Sequence, residues 1–374
     1  MKKVIEGSNA VAEAVKLCEP GVIAAYPITP QTHIIERISE MVADGEMKAK
    51  YVNVESEHSA MSVCLGAQAT GVRTFTASSS QGLALMHEML YVVSGMRLPV
   101  VMVTANRALS APLNIWNDWS DSFAERDSGW IQLYCESAQE AFDTVIQAYK
   151  IAENSRISLP VMVCIDGFFL SHVYEPVDIA DKAKVSKFLP KFSGRVIDFE
   201  NPVTQGMWAG PEHYQEFKVE QHEAMRWARE VIRETNNEFK EVFGRGYGNG
   251  LIETYNMENA KYALVTMGSL AGTAKHIIRE NNIKDMGLIR IKSFRPFPMA
   301  EIKAAIKNIV SIGVLEKDLS PGLGGALCYE IRGLTRKTNV STFVGGLGGR
   351  DVKIDDFMKI FRDIRQERRG LIWV

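Results

Sequence analysis

No stretch of the 374-residue chain approaches the roughly 18 consecutive apolar residues of a membrane-spanning helix, so no helical membrane anchor is expected. Charge of one sign is also missing. The 43 Lys and Arg residues nearly balance 45 Asp and Glu, leaving a formal net charge of −2. No basic field therefore points to nucleic acid, and no polybasic run to a membrane surface. Cysteine is scarce and scattered: Cys18, Cys64, Cys135, Cys164 and Cys328 lie far apart, mostly among apolar neighbours, as buried free thiols do. Without a CxxC pattern the chain has no cysteine set to house zinc or an iron–sulfur cluster. His58, His87 and His172 are too scattered for a metal or a triad argument, and no metal ligand is expected on this chain. The first strand is not followed by G-x-G-x-x-G, which argues against a nicotinamide dehydrogenase, and G-x-x-x-x-G-K-S/T is absent too. The start, MKKVIEGSNAV, lacks the apolar segment of a secretory signal, so a cytoplasmic location is expected.

What is present is ordinary in bulk and specific in pattern. An apolar fraction of 46% and a charged fraction of 24% fit a globular chain with a sizeable core, and the length suggests two domains. The stretch VIAAYPITP (22–30) organises the first half. Val22–Ala25 reads as a buried strand, and Thr29 and Pro30 read as N-cap and first residue of a helix carrying Ile34, Ile35, Ile38, Met41 and Val42 on one face. Strands at Tyr51–Val54, Thr74–Ala77, Pro99–Thr104 and Pro160–Ile165 alternate with helical patterns, which predicts a parallel sheet with helices on both faces. Ala105–Gly129 reads as a long loop. From 175 to 250 the pattern weakens towards a helix with Met225, Ala228, Val231 and Ile232, and GRGYGNG (244–250) reads as a hinge. A second α/β pattern follows, with strands at Tyr262–Met267, Leu288–Ile291 and Ile312–Leu315.

Candidate chemistry gathers where those strands end, the place at which open α/β sheets bind ligands. Glu57 starts a helix just beyond the second strand. It reads equally as a helix-capping acid or as a carboxyl that stays protonated against a ring nitrogen, with Glu55 as its rival. Arg107 follows Val100–Thr104, where a guanidinium fork holds either a substrate carboxylate or a salt bridge in the sheet rim. Trp116 and Trp119 lie in SAPLNIWNDWSD (110–121), a loop long enough for them to cover a cleft, pack at its rim or form a subunit contact. The glycine runs near 322 and 345 read as tight turns.

Taken together, YPITP (26–30), VESEHSA (54–60), FTASSSQGLALMHE (75–88), NRALSAPLNIWNDWSD (106–121), RDSGWIQ (126–132), MGSLAGT (267–273), FRPFP (294–298) and GLGGRD (346–351) resemble the alpha subunit of the 2-oxoacid:ferredoxin oxidoreductases, most closely the pyruvate branch. The resemblance spans nearly the whole chain. It implies a thiamine-diphosphate pyrimidine-binding-type parallel-sheet domain with a C-terminal extension (1–240), a linker (241–257) and a smaller transketolase-C-terminal-like α/β domain (258–374). It also implies that Glu57 and Ile28 contact thiamine diphosphate, Glu57 through the pyrimidine N1′ in a catalytic role. Arg107 then holds the 2-oxo acid's carboxylate and Thr29 donates to its oxygens.

The resemblance further implies that a beta subunit supplies the diphosphate and Mg2+ site, that 4Fe-4S clusters lie on partner chains, that gamma- and delta-type subunits complete the complex, and that coenzyme A and ferredoxin are the other reactants. The sequence agrees by omission, having neither a Gly-Asp-Gly…Asn magnesium motif nor cluster cysteines. Oxalate-using relatives carry an arginine in place of Thr29, and the SAPLNIWND loop favours pyruvate. PITPQT also occurs in branched-chain relatives, so 2-oxoisovalerate and 2-oxoglutarate stay open as substrates. A non-catalytic assembly subunit is a further alternative, against which the intact Thr29, Glu57 and Arg107 count.

Overall fold

The computed structural model describes residues 2–194 and 196–374. In chain order, β1 (Lys2–Glu6) leads into α1 (Gly7–Cys18), β2 (Val22–Ala25) into α2 (Thr32–Ala43), and β3 (Lys50–Asn53) into α3 (Glu57–Ala69). β4 (Thr74–Ser78) is followed by α4 (Ser80–Leu85) and α5 (His87–Gly95), and β5 (Val101–Asn106) by a loop holding α6 (Ser120–Ala124). Then come β6 (Ile131–Tyr134), α7 (Ala138–Ala152), β7 (Val161–Asp166), β8 (Tyr174–Asp178), α8 (Lys182–Phe188) and α9 (Pro211–Phe243). The second half contains β9 (Ile252–Tyr255), β10 (Tyr262–Thr266), α10 (Gly268–Glu280), β11 (Met286–Ile291), β12 (Ser293–Arg295), α11 (Met299–Ala305), β13 (Ser311–Glu316), α12 (Ala326–Arg332), β14 (Asn339–Val344), α13 (Ile354–Arg365) and β15 (Leu371–Trp373).

The apolar runs become central strands because helices cover both sheet faces, which is why β5, β7, β11 and β13 are buried at every residue. The larger sheet has the order β12-β6-β7-β5-β4-β2-β3 and the smaller β15-β14-β13-β10-β11-β9. Each is parallel apart from one edge strand: β12 runs antiparallel to β6, and β9 to β11. β12 belongs to the second half of the chain yet closes the first half's sheet, pairing Ser293 with Leu133 and Arg295 with Gln132. A separate two-stranded pair, β1 and β8, is antiparallel.

The structure corrects several expectations. Helix α2 begins at Thr32, with Gln31 as its N-cap, so Thr29 is not the cap and Pro30 lies in the preceding turn. The reason lies outside the segment. The Thr29 carbonyl is turned towards Arg107, and the buried Gln31 amide donates to Tyr26 O and Ala77 O, which holds the turn against β4. A strand unseen in the sequence pattern, β6, lies within the first sheet. The weak stretch after 175 contains α9, a helix of 33 residues. GRGYGNG, expected as a hinge, is anchored at its middle: Arg245 and Tyr247 both donate to Asp143, at 2.7 and 2.6 Å. Ile252–Tyr255, within the stretch expected as a linker, is a strand of the second sheet.

Candidate active site

The carboxyl ends of β3, β2, β4 and β5 leave the larger sheet as four successive parallel neighbours. They carry, in that spatial order, Glu57, the Ile28–Thr29 turn, the serine turn 78–82 and Arg107. Residues separated by up to 79 positions in the chain are thereby gathered along one sheet edge, the ligand-binding position of open α/β folds.

Glu57 is the first residue of α3, behind Ser56, whose hydroxyl accepts from Ser59 N. Its residue is only 5% exposed. Burial pushes its acidity down, raising the pKa above the ordinary glutamate value, and only its own backbone N–H opposes the shift. Among the described residues no other group donates to it. Glu55, its rival, lies differently: it is exposed, and a hydrogen bond from Ser59 holds its pKa below the usual range. Glu57 faces Ser78 and Gly82. A Cβ at Gly82 would sit 2.6 Å from Ser78 Oγ and closer still to Glu57 Oε1, so any side chain here would push the Glu57 carboxyl from its place. The Ser78 hydroxyl is itself buried without a partner.

A buried carboxyl of raised pKa beside an orphaned hydroxyl, in a cradle that an added methyl would crowd, fits a polar ring system. That donor set matches what the pyrimidine of thiamine diphosphate requires.

Arg107 is buried, and its arms reach Thr29 O at 3.0 Å and Asn114 O at 2.9 Å. Both partners are neutral carbonyls. The salt bridge that would have made Arg107 a rim strut is not formed among the described residues, and burial pulls its pKa below the usual arginine value. Thr29 is exposed and Ile28 half-buried in the same turn. The structure thus brings Thr29 and Arg107 together.

The organiser of this edge is a residue that the sequence reading passes over, Asp121. Its buried carboxylate accepts from Ser80 N and Arg107 N, both at 2.9 Å, and from Asn106 Nδ2 at 2.8 Å. The serine turn and the arginine are thereby fixed to each other. Burial raises the Asp121 pKa to about 7. The only sequence signal was its place in a polar cluster, NDWSD.

Two expectations about the covering loop separate. Trp119 is not at an interface: it is fully buried, and its indole N–H donates to Asp166 Oδ1 at 2.8 Å. Trp116 is 48% exposed and packs on Phe168, with ring centroids 4.4 Å apart. The glycine turn of the second half straps this loop. Asn114 Nδ2 donates to Gly348 O at 3.1 Å, and Gly349 N donates to Asn117 O at 2.6 Å. Gly349 has φ +80° and lies against Trp116, where a Cβ would clash. A cleft of about 780 Å3 opens between loop and turn, lined by Asn114, Trp116, Phe168, Leu347 and Arg350 among others. Beneath it, Lys317 Nζ reaches Asp166 Oδ2 at 3.1 Å and Asn117 Oδ1 at 2.9 Å, joining the two sheets.

Comparison with known proteins agrees with this geometry. Residues 13–237 match the family model described as pyruvate flavodoxin/ferredoxin oxidoreductase, thiamine diphosphate-binding, and residues 260–357 match pyruvate:ferredoxin oxidoreductase core domain II. The pyruvate synthase subunit PorA of Methanocaldococcus jannaschii is 53% identical over 100% of this chain and 97% of that protein. The ketoisovalerate oxidoreductase subunit VorA of Pyrococcus horikoshii is 44% identical over 98% and 94%. Among solved structures, the 2-oxoglutarate:ferredoxin oxidoreductase of Magnetococcus marinus, with 2-oxoglutarate, coenzyme A and succinyl-CoA bound, superposes with a TM-score of 0.72 at 21% identity. It covers 98% of this chain, which spans 65% of that one, and shows a shared fold.

Proposed function

Since the chain belongs to the pyruvate:ferredoxin oxidoreductase family, we propose that it is the alpha-type subunit of a thiamine-diphosphate-dependent enzyme acting on pyruvate. The reaction converts pyruvate, coenzyme A and two oxidised ferredoxins into acetyl-CoA, CO2, a proton and two reduced ferredoxins, and it runs in either direction. The observation that carries the reading is Glu57: a buried carboxyl to which, among the described residues, only its own backbone N–H donates, at the sheet edge shared by Thr29 and Arg107.

When bound, thiamine diphosphate supplies the nucleophilic carbon and the electron sink for breaking the bond to the carboxylate. This chain's residues do the rest of the positioning. Glu57 holds a proton at its carboxyl and donates it towards a pyrimidine ring nitrogen, a role its burial favours. Ile28, beside it at the edge, is assigned to the apolar contact with that ring. Arg107 turns from neutral carbonyls to the substrate carboxylate, exchanging a neutral hydrogen bond for a charge-assisted one. The Thr29 hydroxyl donates to the substrate's oxygens. Asp121 keeps Arg107 and the serine turn in register, and Trp116 shields the cleft from water.

The units assigned to these roles are a pyrimidine-binding domain over 1–240, a connection over 241–257 that already contains strand β9 of the second sheet, and a second domain over 258–374. The 4Fe-4S clusters are assigned to partner subunits because all five cysteines here are buried, unpaired and dispersed, and Mg2+ to the beta-type partner because this sequence lacks a Gly-Asp-Gly…Asn motif; gamma- and delta-type subunits complete the assignment. Such free thiols also suit a reducing cytoplasm. No helix among the described residues is long and apolar enough to cross a membrane.

The test is viologen reduction by the complex isolated from its native host on a tagged copy of this chain, with coenzyme A. Pyruvate, 2-oxoisovalerate, 2-oxoglutarate and oxalate are compared. Preference for pyruvate is expected. Preference for 2-oxoisovalerate would keep the mechanism and move the chain to the side of its VorA relative. No activity with any acid in a cluster-loaded complex would leave an assembly subunit.

A further inference from the structure

On the opposite side of the Ile28–Thr29 turn from Glu57's helix, three residues from separate parts of the chain converge: Glu6 at the end of β1, His33 in the first turn of α2 and His172 after β7. From this convergence we propose a divalent transition-metal site, of the kind that takes Zn2+, with Glu6, His33 and His172 as its protein ligands. Nothing in the proposed reaction uses these residues, and the sequence pattern set His172 aside as isolated.

Geometry carries the assignment. One ligand atom from each residue lies within 4.8 Å of the other two. Glu6 Oε1 is 2.7 Å from His33 Nδ1 and 3.9 Å from His172 Nδ1. Ligands bound to Zn2+ at about 2.0–2.2 Å in a tetrahedron stand roughly 3.3–3.5 Å apart, so the present spacing straddles the required one and side-chain rotation closes the difference. Two imidazoles and one carboxylate form a borderline donor set that prefers Zn2+ and its first-row neighbours to Mg2+ or Ca2+. His33 is partly exposed, which leaves a path for the ion and a place for a water as fourth ligand.

The frame is built in advance. Gly7 N and Ser8 N donate to Val173 O and Ser171 O at 3.1 and 2.8 Å, and Ser8 Oγ donates to Ser171 O at 2.8 Å. These bonds hold Glu6 beside His172. Phe168 lies against the His172 ring at 4.6 Å, and His33 against it at 4.4 Å. The Ser171 hydroxyl, which already accepts from Phe168 N, is free to donate to His172 Nδ1 at 2.7 Å. That bond marks Nδ1 as the ring nitrogen carrying the lone pair, which a bound ion takes over from the Ser171 hydroxyl, just as it displaces the His33–Glu6 hydrogen bond. A bound ion would clip the start of α2, one turn beyond Thr29, to the β1–β8 pair.

The experiment uses the full-length chain, stripped with chelator and titrated with Zn2+ and with Co2+. One ion per chain is expected, with Co2+ giving weak visible d–d bands and no thiolate charge-transfer band, and with the melting temperature rising on Zn2+ addition. His33→Ala and His172→Ala should each weaken binding by more than the roughly tenfold that a supporting residue costs. His87→Ala, at the separate His87–Glu125 pair, should leave binding unchanged. Because His33 is at the surface, its variant tests the site even if His172→Ala disturbs folding. Binding that persists in both ligand variants, a thiolate band, or no stoichiometric uptake would overturn the proposal.

Discussion

Two helices of this molecule begin almost identically and end up with opposite chemistry. At 55–60 the sequence is ESEHSA and at 136–141 it is ESAQEA. In each, the serine caps a helix through its hydroxyl, Ser56 to Ser59 N and Ser137 to Glu140 N, and a buried glutamate sits in the first turn. Glu57 follows β3 at the sheet edge, where among the described residues no cation offsets its burial, and burial raises its pKa. Glu140 follows β6, where β11 and the turn after it deliver Arg290 and Lys292. Burial alone would raise its pKa too, but those two charges outweigh burial and hold it at about 2. Lys292 Nζ lies 2.7 Å from Glu140 and 2.8 Å from Thr144, and Arg290 also reaches Glu253 at 2.9 Å. The same local start thus yields an acid of raised pKa in one place and an ionic rivet between the two sheets in the other. Helix dipole and capping are common to both; the difference lies in what the neighbouring strand brings.

Exchanging or removing the partners should break this contrast. The largest effect is expected from Glu57→Gln, which keeps size and burial but removes the ionisable carboxyl. Turnover of the assembled complex should fall roughly 10²- to 10⁴-fold with the melting temperature unchanged. Near-normal turnover would detach Glu57 from the chemistry. The matching change on the other helix, Glu140→Ala, should do the reverse. Leaving Arg290 and Lys292 buried without their carboxylate costs about 3–5 kcal/mol, read as a lower denaturation midpoint or as insoluble chain. Retained stability would mean that the seam does not depend on that pair.

Arg107→Ala sharpens the distinction between positioning and substrate contact. Its raised Michaelis constant for the 2-oxo acid, by roughly ten- to a hundredfold, should exceed any change in turnover, because a charged hydrogen bond contributes about 1.5–3 kcal/mol. A loss of assembly with an unchanged Michaelis constant would make Arg107 structural.

The smallest effect concerns a third buried acid, Glu316. It accepts from Leu327 N and Cys328 N at 2.8 and 3.1 Å, and burial raises its pKa to about 8. Between the ordinary glutamate value and pH 8 the folded chain retains a proton that the unfolded chain has released. Stability should therefore fall as pH rises through that window, by at most about 1.4 kcal/mol per pH unit from this group. Glu316→Gln should flatten the slope in chemical denaturation between pH 6 and 8, and an unchanged slope would exclude Glu316 as its source.

Much of the site was legible because its residues sit where simple patterns change. Glu57, Thr29 and Arg107 each follow an apolar strand, and a strand end in an α/β sheet is where side chains are released to solvent and ligand. The motifs from YPITP to GLGGRD carried the family, as the matches over 13–237 and 260–357 bear out. Asp121 was not legible, since its importance lies in three donors from segments that only the fold brings together. Nor was the burial of Trp119, which depends on Asp166 from β7.

Composition, strand–helix alternation and local capping are short-range properties, so the sequence by itself determined the fold class, the strand-end location of the candidate site and which residue types were available there. Whether a buried acid would keep its proton, pair with a cation or meet two histidines depended on which distant segment packed against it. Desolvation and Coulomb energies act through space over a few ångströms, and only the tertiary structure decides those neighbours.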